Sequence, residues 1–319
     1  MAKTMLKYAF VTMLGSVALL FVALLLTNWR LPQQSIGKLV FADTYAQGTR
    51  FNRIEITTPQ DKITLEQQGE YWVIKEYDNY FADINILNQL LIDFNRSTYY
   101  SELPFSAQNL SDAGLDKDGT LIQTFVDDRL LDSVVVGAKA GDGRYRFVRP
   151  QGRDEIWLAD GDYILPAERY SWIMQPIQEL PPDMVESIEE NGVTVRRDNP
   201  KLPFFQADGR PAPVRPLLDM ASYIIAEDVI AAQFFIADDY PQYRYLKFTT
   251  FQGLEAEYEL YGNDSDVWLK INLSATPLPK QEVNAYIKDN RIFYDNWYFK
   301  MPDTQGKMLF LLPLISAKQ

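Results

Sequence analysis

The sequence predicts an α+β protein: an N-terminal transmembrane helix followed by two tandem repeats, each an antiparallel β-sheet with a packed amphipathic helix. Three observations carry that expectation. Residues 8–26 form an uncharged apolar run, the chain from Phe51 alternates apolar and polar residues before switching to helical spacing, and the same order of segments returns about 130 residues later.

The first observation sets the location. The run from Tyr8 to Leu26 is nineteen residues long, which at about 1.5 Å per residue matches the roughly 30 Å hydrocarbon core of a bilayer. A cleaved signal peptide would have a shorter apolar core and small residues soon after it, whereas Thr27-Asn28-Trp29-Arg30 follows here. With no Cys in the chain, a lipoprotein anchor is excluded. Trp29 and Arg30 suit an interfacial edge. Lys3 and Lys7 precede the run, so the positive-inside rule places the N-terminus in the cytoplasm. Residues 1–30 are therefore expected as a cytoplasmic tip and signal-anchor of the cell (inner) membrane, 31–50 as a linker, and the rest as an extracytoplasmic ectodomain. Met308 to Ile315 is apolar but short and broken by Pro313, so it reads as core rather than a second crossing.

All 43 acidic residues and all but three of the 31 basic ones lie beyond Arg30. That balance argues against nucleic acid and against an electrostatic hold on anionic lipid. The absence of Cys and His removes thiol catalysis, Ser-His-Asp chemistry and the usual zinc sites. No cofactor, metal or catalytic residue is expected, and no ligand-binding residue can be named.

The elements follow in order. Ile54 and Ile56 alternate with polar neighbours, Pro59 to Lys62 supplies a turn, Ile63 to Glu66 resumes the alternation, and Gly69-Glu70 turns into Tyr71 to Ile74: a three-stranded meander. From Asp83 to Arg96 the spacing of Leu87, Leu90, Leu91 and Phe94 becomes helical, with Asp83 suited to the N-cap. Ser106 to Asp112 leads into a short helical turn ending near Gly114, and strands are predicted at Ile122–Val126, Ser133–Gly137, Arg144–Val148 and Glu155–Ala159. Tyr163 to Met174 closes the segment.

The order then recurs. Ser187-Ile188-Glu189 echoes Arg53-Ile54-Glu55, and Val193 to Arg196 echoes Ile63 to Glu66. A helix predicted over Pro213 to Ala226 matches the first at an offset of 130, pairing Leu87 with Leu217, Leu90 with Met220 and Phe94 with Ile224. At an offset of 125, Gly137 meets Gly262 and Trp172 meets Trp297, a pairing that suggests one shared core position for the two indoles. Further strands are predicted at Leu246–Phe251, Ala256–Tyr261 and Val267–Leu273. The repeats are thus expected at 51–180 and 181–319, with the proline-rich Leu180 to Asp183 as their seam.

Several of these residues carry a family resemblance. Ile54-x-Ile56 and Leu65 to Trp72-x-Ile74 are followed by Ala82-Asp83, a Leu-rich helix and Gly114-Leu115-Asp116. The stretch from Phe51 to Arg197 resembles the domain-of-unknown-function 4340 family. It departs where Lys117-Asp118-Gly119 stands in place of a proline soon after the Gly-Leu pair. The resemblance implies a membrane-anchored, extracytoplasmic companion of ABC-type transport systems, and it brings no active site with it.

Each stretch rich in functional residue types also has a structural explanation. Gly137 to Arg144 holds three glycines and two cations, but Tyr145-Arg146-Phe147 continues as strand, so a hairpin is expected rather than a phosphate cradle. Asp116 to Gly119 lacks the anchoring oxygens of a calcium loop: Gly114 and Phe125 occupy those positions. Asp127-Asp128, Asp160-Gly161-Asp162 and Asn263 to Asp266 read as solvated turns. Trp72, Trp157, Trp172, Trp268 and Trp297 could line a groove, although packing is their usual work.

The function expected is that of a non-enzymatic accessory or scaffold component of a membrane complex such as an ABC-type transporter, held by lipid through its first helix and by protein partners through its ectodomain. Two other classes stay open: capture of a small molecule or glycan, and carboxylate-based hydrolysis of envelope polymers. The surface between the repeats discriminates them. An aromatic pocket with convergent polar groups would indicate a ligand, and a broad apolar patch would indicate a protein.

Overall fold

The computed structural model describes residues 35–141 and 143–314. The expected anchor at Tyr8–Leu26 lies outside them, and among the described residues no helix is long and apolar enough to cross a membrane. The described chain gathers into two compact units: residues 35–48, 92–121 and 132–163 form the first, and 49–91, 122–131 and 164–314 the second. The architecture is mixed α/β with antiparallel sheets.

The segment expected as a linker is, in its described part, folded. Helix α1 (Ala42–Gln47) follows Val40 and Phe41, both buried, and the Phe41 ring lies 4.3 Å from that of Phe94. Mixed polarity concealed this because few residues do the packing: Phe41 fills the core, while Thr44 donates from its backbone and its hydroxyl to Asp132 Oδ2, at 2.7 and 2.6 Å.

The predicted meander is present with one further strand: β1 (Arg53–Thr57), β2 (Lys62–Gln68), β3 (Tyr71–Ile74) and β4 (Tyr80–Phe81). Ile54 faces Leu65 and Ile56 faces Ile63, so period-two alternation puts all four in the core. Opposite charges line the other face, with Lys62 Nζ 2.8 Å from Glu55. Helix α2 (Ile84–Arg96) begins where expected, since Asp83 Oδ1 accepts from the backbone N–H of Asn85 at 2.8 Å. It is followed by β5 (Tyr99–Leu103), α3 (Ala107–Asp112), β6 (Thr120–Val126), β7 (Arg129–Ala140), β8 (Tyr145–Pro150) and β9 (Ile156–Asp160). Strand β7 runs well past the predicted Ser133–Gly137 at both ends.

The short pair β10 (Gln178–Glu179) leads to β11 (Val185–Glu190), β12 (Val193–Arg196), β13 (Phe204–Phe205) and β14 (Pro211–Ala212). Helix α4 spans only Arg215–Ala221, half of the predicted Pro213–Ala226. Pro216 is accepted in its first turn. Beyond Ser222 the chain extends into β15 (Tyr223–Ile224), where Ile224 pairs with Gln178. Ile224 is buried, as Phe94 is, but from a strand. The remaining elements are β16 (Asp228–Ala231), β17 (Gln242–Thr250), β18 (Leu254–Gly262), β19 (Val267–Ala275), α5 (Gln281–Asn290), β20 (Trp297–Lys300) and α6 (Asp303–Leu311). Helix α6 takes in Met308 to Leu311 of the apolar stretch read as core; Leu309 and, beyond the helix, Leu314 are buried, while Leu311 is exposed.

In the second unit the hydrogen-bonded orders are β4-β3-β2-β1-β6 and β14-β13-β12-β11-β17-β18-β19-β20-β16, and in the first unit the order is β7-β8-β9-β5. The first order recurs as β14-β13-β12-β11-β17, and the last as β18-β19-β20-β16. Within this frame the pairing of Trp172 with Trp297 is corrected. Trp172 is fully buried at the end of a 3₁₀ turn, Arg169–Trp172, whereas Trp297 opens β20 half-buried. A fixed offset cannot align them, because the connections between strands differ in length.

Candidate functional site

The glycine-rich stretch is the expected hairpin: β7 and β8 pair Ala140 with Tyr145, and Gly143 takes a left-handed φ of 79°. The acidic turns are also structural. Asp127 Oδ1 accepts from Asn52 Nδ2 at 2.9 Å. Asn263 Oδ1 accepts from the N–H groups of Ser265 and Asp266, and Asp266 pairs with Lys300 at 2.8 Å. Asp162 pairs with Lys139. Among the described residues no group of three His, Cys, Asp or Glu side chains is placed to hold a metal ion.

In the second unit, residues 71–81 meet residues 293–299 through aromatic rings. Tyr80 lies edge-on to Trp297 and Phe299, with centroids 5.0 and 5.6 Å away. Phe293 meets Tyr71 and Phe81 at 5.9 and 4.6 Å. Tyr80 and Phe299 are fully buried. Aromatic side chains supply this contact because each buries a large area with few rotors to immobilise. Beside it, Arg169 forks onto Asp61, and that hydrogen bond holds the Asp61 carboxyl below its ordinary range.

Two buried arginines tie separate segments together, and one of them, Arg197, anchors the stretch around Leu180 to Asp183. Arg197 donates to the carbonyls of Val185 and Pro200, each at 2.8 Å, and to that of Pro182, while its guanidinium carbon lies 4.6 Å from the Phe204 centroid. Arg244 donates to both carboxylate oxygens of Glu190, at 2.8 and 3.0 Å. Both cations are thus committed to holding backbone and strand ends together. Sequence reading missed them: Arg197 lies one residue past β12, and Arg244, although in phase with the buried Leu246 and Phe248, owes its burial to distant partners in Glu190 and Leu309.

The face of β17–β20 carrying Tyr243, Tyr261, Trp268 and Tyr298 bears a set of aromatic and carboxylate side chains. Phe235 stacks on Tyr298 at 3.9 Å and on Tyr240 at 5.3 Å. Along β18, Glu255 pairs with Lys247 at 2.9 Å, and Glu259 accepts from Asn272 Nδ2 and Tyr261 Oη at 2.7 and 2.8 Å. Burial, with help from Glu257, pushes the Tyr245 hydroxyl up to about 12. Lys270 is buried and shifted down by desolvation, with its ammonium donating to the carbonyls of Tyr294 and Asp295. These groups are held in mutual pairs rather than aimed at a common reacting point.

A cleft of about 600 Å³ lies between the Glu179–Pro181 segment and α5, lined by Leu180, Pro181, Met184, Leu254, Val283 and Tyr286. Met184 and Tyr286 are exposed. Glu179 and Glu282 also line it.

A family model described as Domain of unknown function (DUF4340) matches residues 72–220. No curated protein and no solved structure matches the chain.

Proposed function

We propose, for a chain whose residues 72–220 belong to the DUF4340 family, that it is a non-enzymatic accessory or scaffold protein, anchored by Tyr8–Leu26 and engaging protein partners of a membrane complex such as an ABC-type transporter. The aromatic contact between residues 71–81 and 293–299 is the observation that carries this reading. A ligand-capturing protein would keep a pocket with convergent polar groups at the junction between its two copies. Here Tyr80, Phe81 and Phe299 fill it. The apolar side chains of Met184 and Tyr286, exposed beside α5, favour a protein partner in the same sense.

The ectodomain is, on this reading, a duplication of one α+β unit. Its support is the strand order: β1 to β4 are followed by a helix, as are β11 to β14, and both segments of the first order recur term by term in the second. Chance agreement over nine strands would be hard to reach, because neighbouring positions in both orders skip across the chain in the same way.

Full-length protein, crosslinked mildly in its native membrane and then solubilised, is expected to bring down other membrane components. Recovery of the chain alone at native abundance would refute the scaffold reading.

A second reading, capture of a small molecule or glycan, draws on the Phe235, Tyr261 and Tyr298 face of β17–β20. Titration of full-length protein and of its Trp268→Phe variant with envelope oligosaccharides, followed by the difference in their tryptophan fluorescence, checks it. An unchanged spectrum would remove it.

A further inference from the structure

The place where the chain enters the first unit is fixed by hydrogen bonds. Gly37 N–H donates to the Tyr99 carbonyl at 2.8 Å, and Tyr99 N–H donates back to Lys38 at 3.0 Å, so residues 37–39 border the free side of β5. Seven residue steps separate Gly37 from Arg30, a reach of at most about 25 Å even when fully extended. With Arg30 at the interface, this edge of the sheet lies within about 25 Å of the bilayer surface whatever path the intervening residues take.

What the sheet presents there has interfacial chemistry. Tyr100, 56% exposed, stacks on Tyr145 with centroids 4.5 Å apart and planes within 19°. The Arg144 guanidinium carbon lies 5.2 Å from the Tyr145 centroid. Ile36, 52% exposed, immediately precedes the bonded Gly37. Tyrosine rings topped by a cation, beside an exposed aliphatic side chain, form the combination that partitions to headgroup depth. Both signs of charge are present at this end: Lys38 and Arg144 stand with Asp160, and Lys139 is paired with Asp162. The hold would therefore come from the rings and would not require anionic lipid.

We infer that the Tyr100–Tyr145 end of the first unit rests in the headgroup region of the bilayer that carries the chain's own anchor. The inference builds on the anchored reading above and gives the glycine-rich hairpin a purpose: it presents Arg144 and Tyr145 at that end.

The chain contains no Cys, so single cysteines can carry a spin label without background. Full-length protein in zwitterionic phosphatidylcholine nanodiscs would be labelled at Lys38→Cys, Asp160→Cys, Asp154→Cys and Ser16→Cys, and collision with oxygen and with a water-soluble nickel chelate measured. Lys38 and Asp160 are exposed neighbours of the rings, Asp160 being paired with Tyr145, and their replacement leaves Tyr100, Tyr145 and Arg144 in place. Asp154 precedes β9 at its opposite end from Asp160 and serves as the aqueous reference. The expected result is a severalfold higher oxygen-to-nickel ratio at positions 38 and 160 than at 154, with position 16 deeper still. Nickel access at 38 and 160 equal to that at 154, with position 16 in hydrocarbon, would overturn this inference and leave the anchor standing. Shielding of 38 and 160 from both reagents would show a protein or a second copy covering them, and would also overturn it. A water-exposed label at position 16 would remove the anchor and this inference together.

Discussion

The ring of Tyr80 meets that of Trp297 edge-on, 5.0 Å between centroids and 77° between planes, yet the Tyr80 hydroxyl is buried without a hydrogen-bond partner. The ring is therefore favourable and the oxygen is not. Tyr80→Phe is expected to stabilise the protein by about 1–3 kcal/mol, the desolvation cost of an unmade hydrogen bond. Tyr80→Ala is expected to cost about 3–5 kcal/mol as a large cavity forms. Thermal melts of the purified variants check both signs, and a destabilised Tyr80→Phe would mean that the hydroxyl is satisfied.

Arg244 holds Glu190 through two hydrogen bonds and reaches the Leu309 carbonyl of α6 with its third nitrogen. Arg244→Met keeps most of the volume but strands a largely buried carboxylate, for a loss of about 3–5 kcal/mol. The paired change Arg244→Met with Glu190→Gln should recover a large part of it. Denaturant midpoints of the single and double variants measure the coupling.

How much of this was legible in the sequence depends on whether a residue acts locally. The Ile54/Leu65 hairpin and the Asp83 cap could be read because period and capping are properties of neighbours. Strands β5, β16 and β20 passed unnoticed because they are short and owe their pairing to distant partners: β5 to β9, and β16 to β20. The role of the Gly114-Leu115 pair and of Gly137 was hidden for the same reason. Ala138 N–H donates to the Ala113 carbonyl at 2.8 Å, bringing the turn so close to β7 that a Cβ on Gly137 would overlap that carbonyl. No spacing rule in one dimension announces such a contact. Nor could sequence mark the candidate face of β17–β20, where facing residues come from four separate segments.

That contact makes its own prediction. Gly137→Ala forces the Gly114 turn off β7 and is expected to cost about 1–3 kcal/mol as an overpacked site. Gly143→Asn, where nothing lies within 4 Å and φ is left-handed, should change stability little, because asparagine tolerates that region. Equal losses in the two variants would contradict the packing argument.

Removal of residues 1–30 leaves every hydrogen bond and ring contact described above in place, including those that seat Phe41 and Thr44. The truncated chain is expected to melt where the detergent-solubilised full chain does, yet to lose the membrane partners recovered by crosslinking. Retention of those partners by the truncated form would separate partner binding from anchoring.

The two aspartates Asp93 and Asp61 should give stability slopes of opposite sign. Asp93 is buried, and desolvation raises its carboxyl despite hydrogen bonds from the Tyr163 and Asp162 N–H groups and the nearby Arg96. The native state then binds its proton more tightly than the unfolded chain, whose aspartates titrate at about 3.9. Stability is therefore lost as pH rises from that value through the raised native one. Asp61 is held low by Arg169, so its contribution is complete above about 3.9 and disappears as pH falls through its native value. Asp93→Asn should compare worst with the parent in acid, and Asp61→Asn worst at neutrality. Melting temperatures of the three proteins across the carboxylate range decide this, and parallel curves for both variants would show that neither carboxyl is shifted.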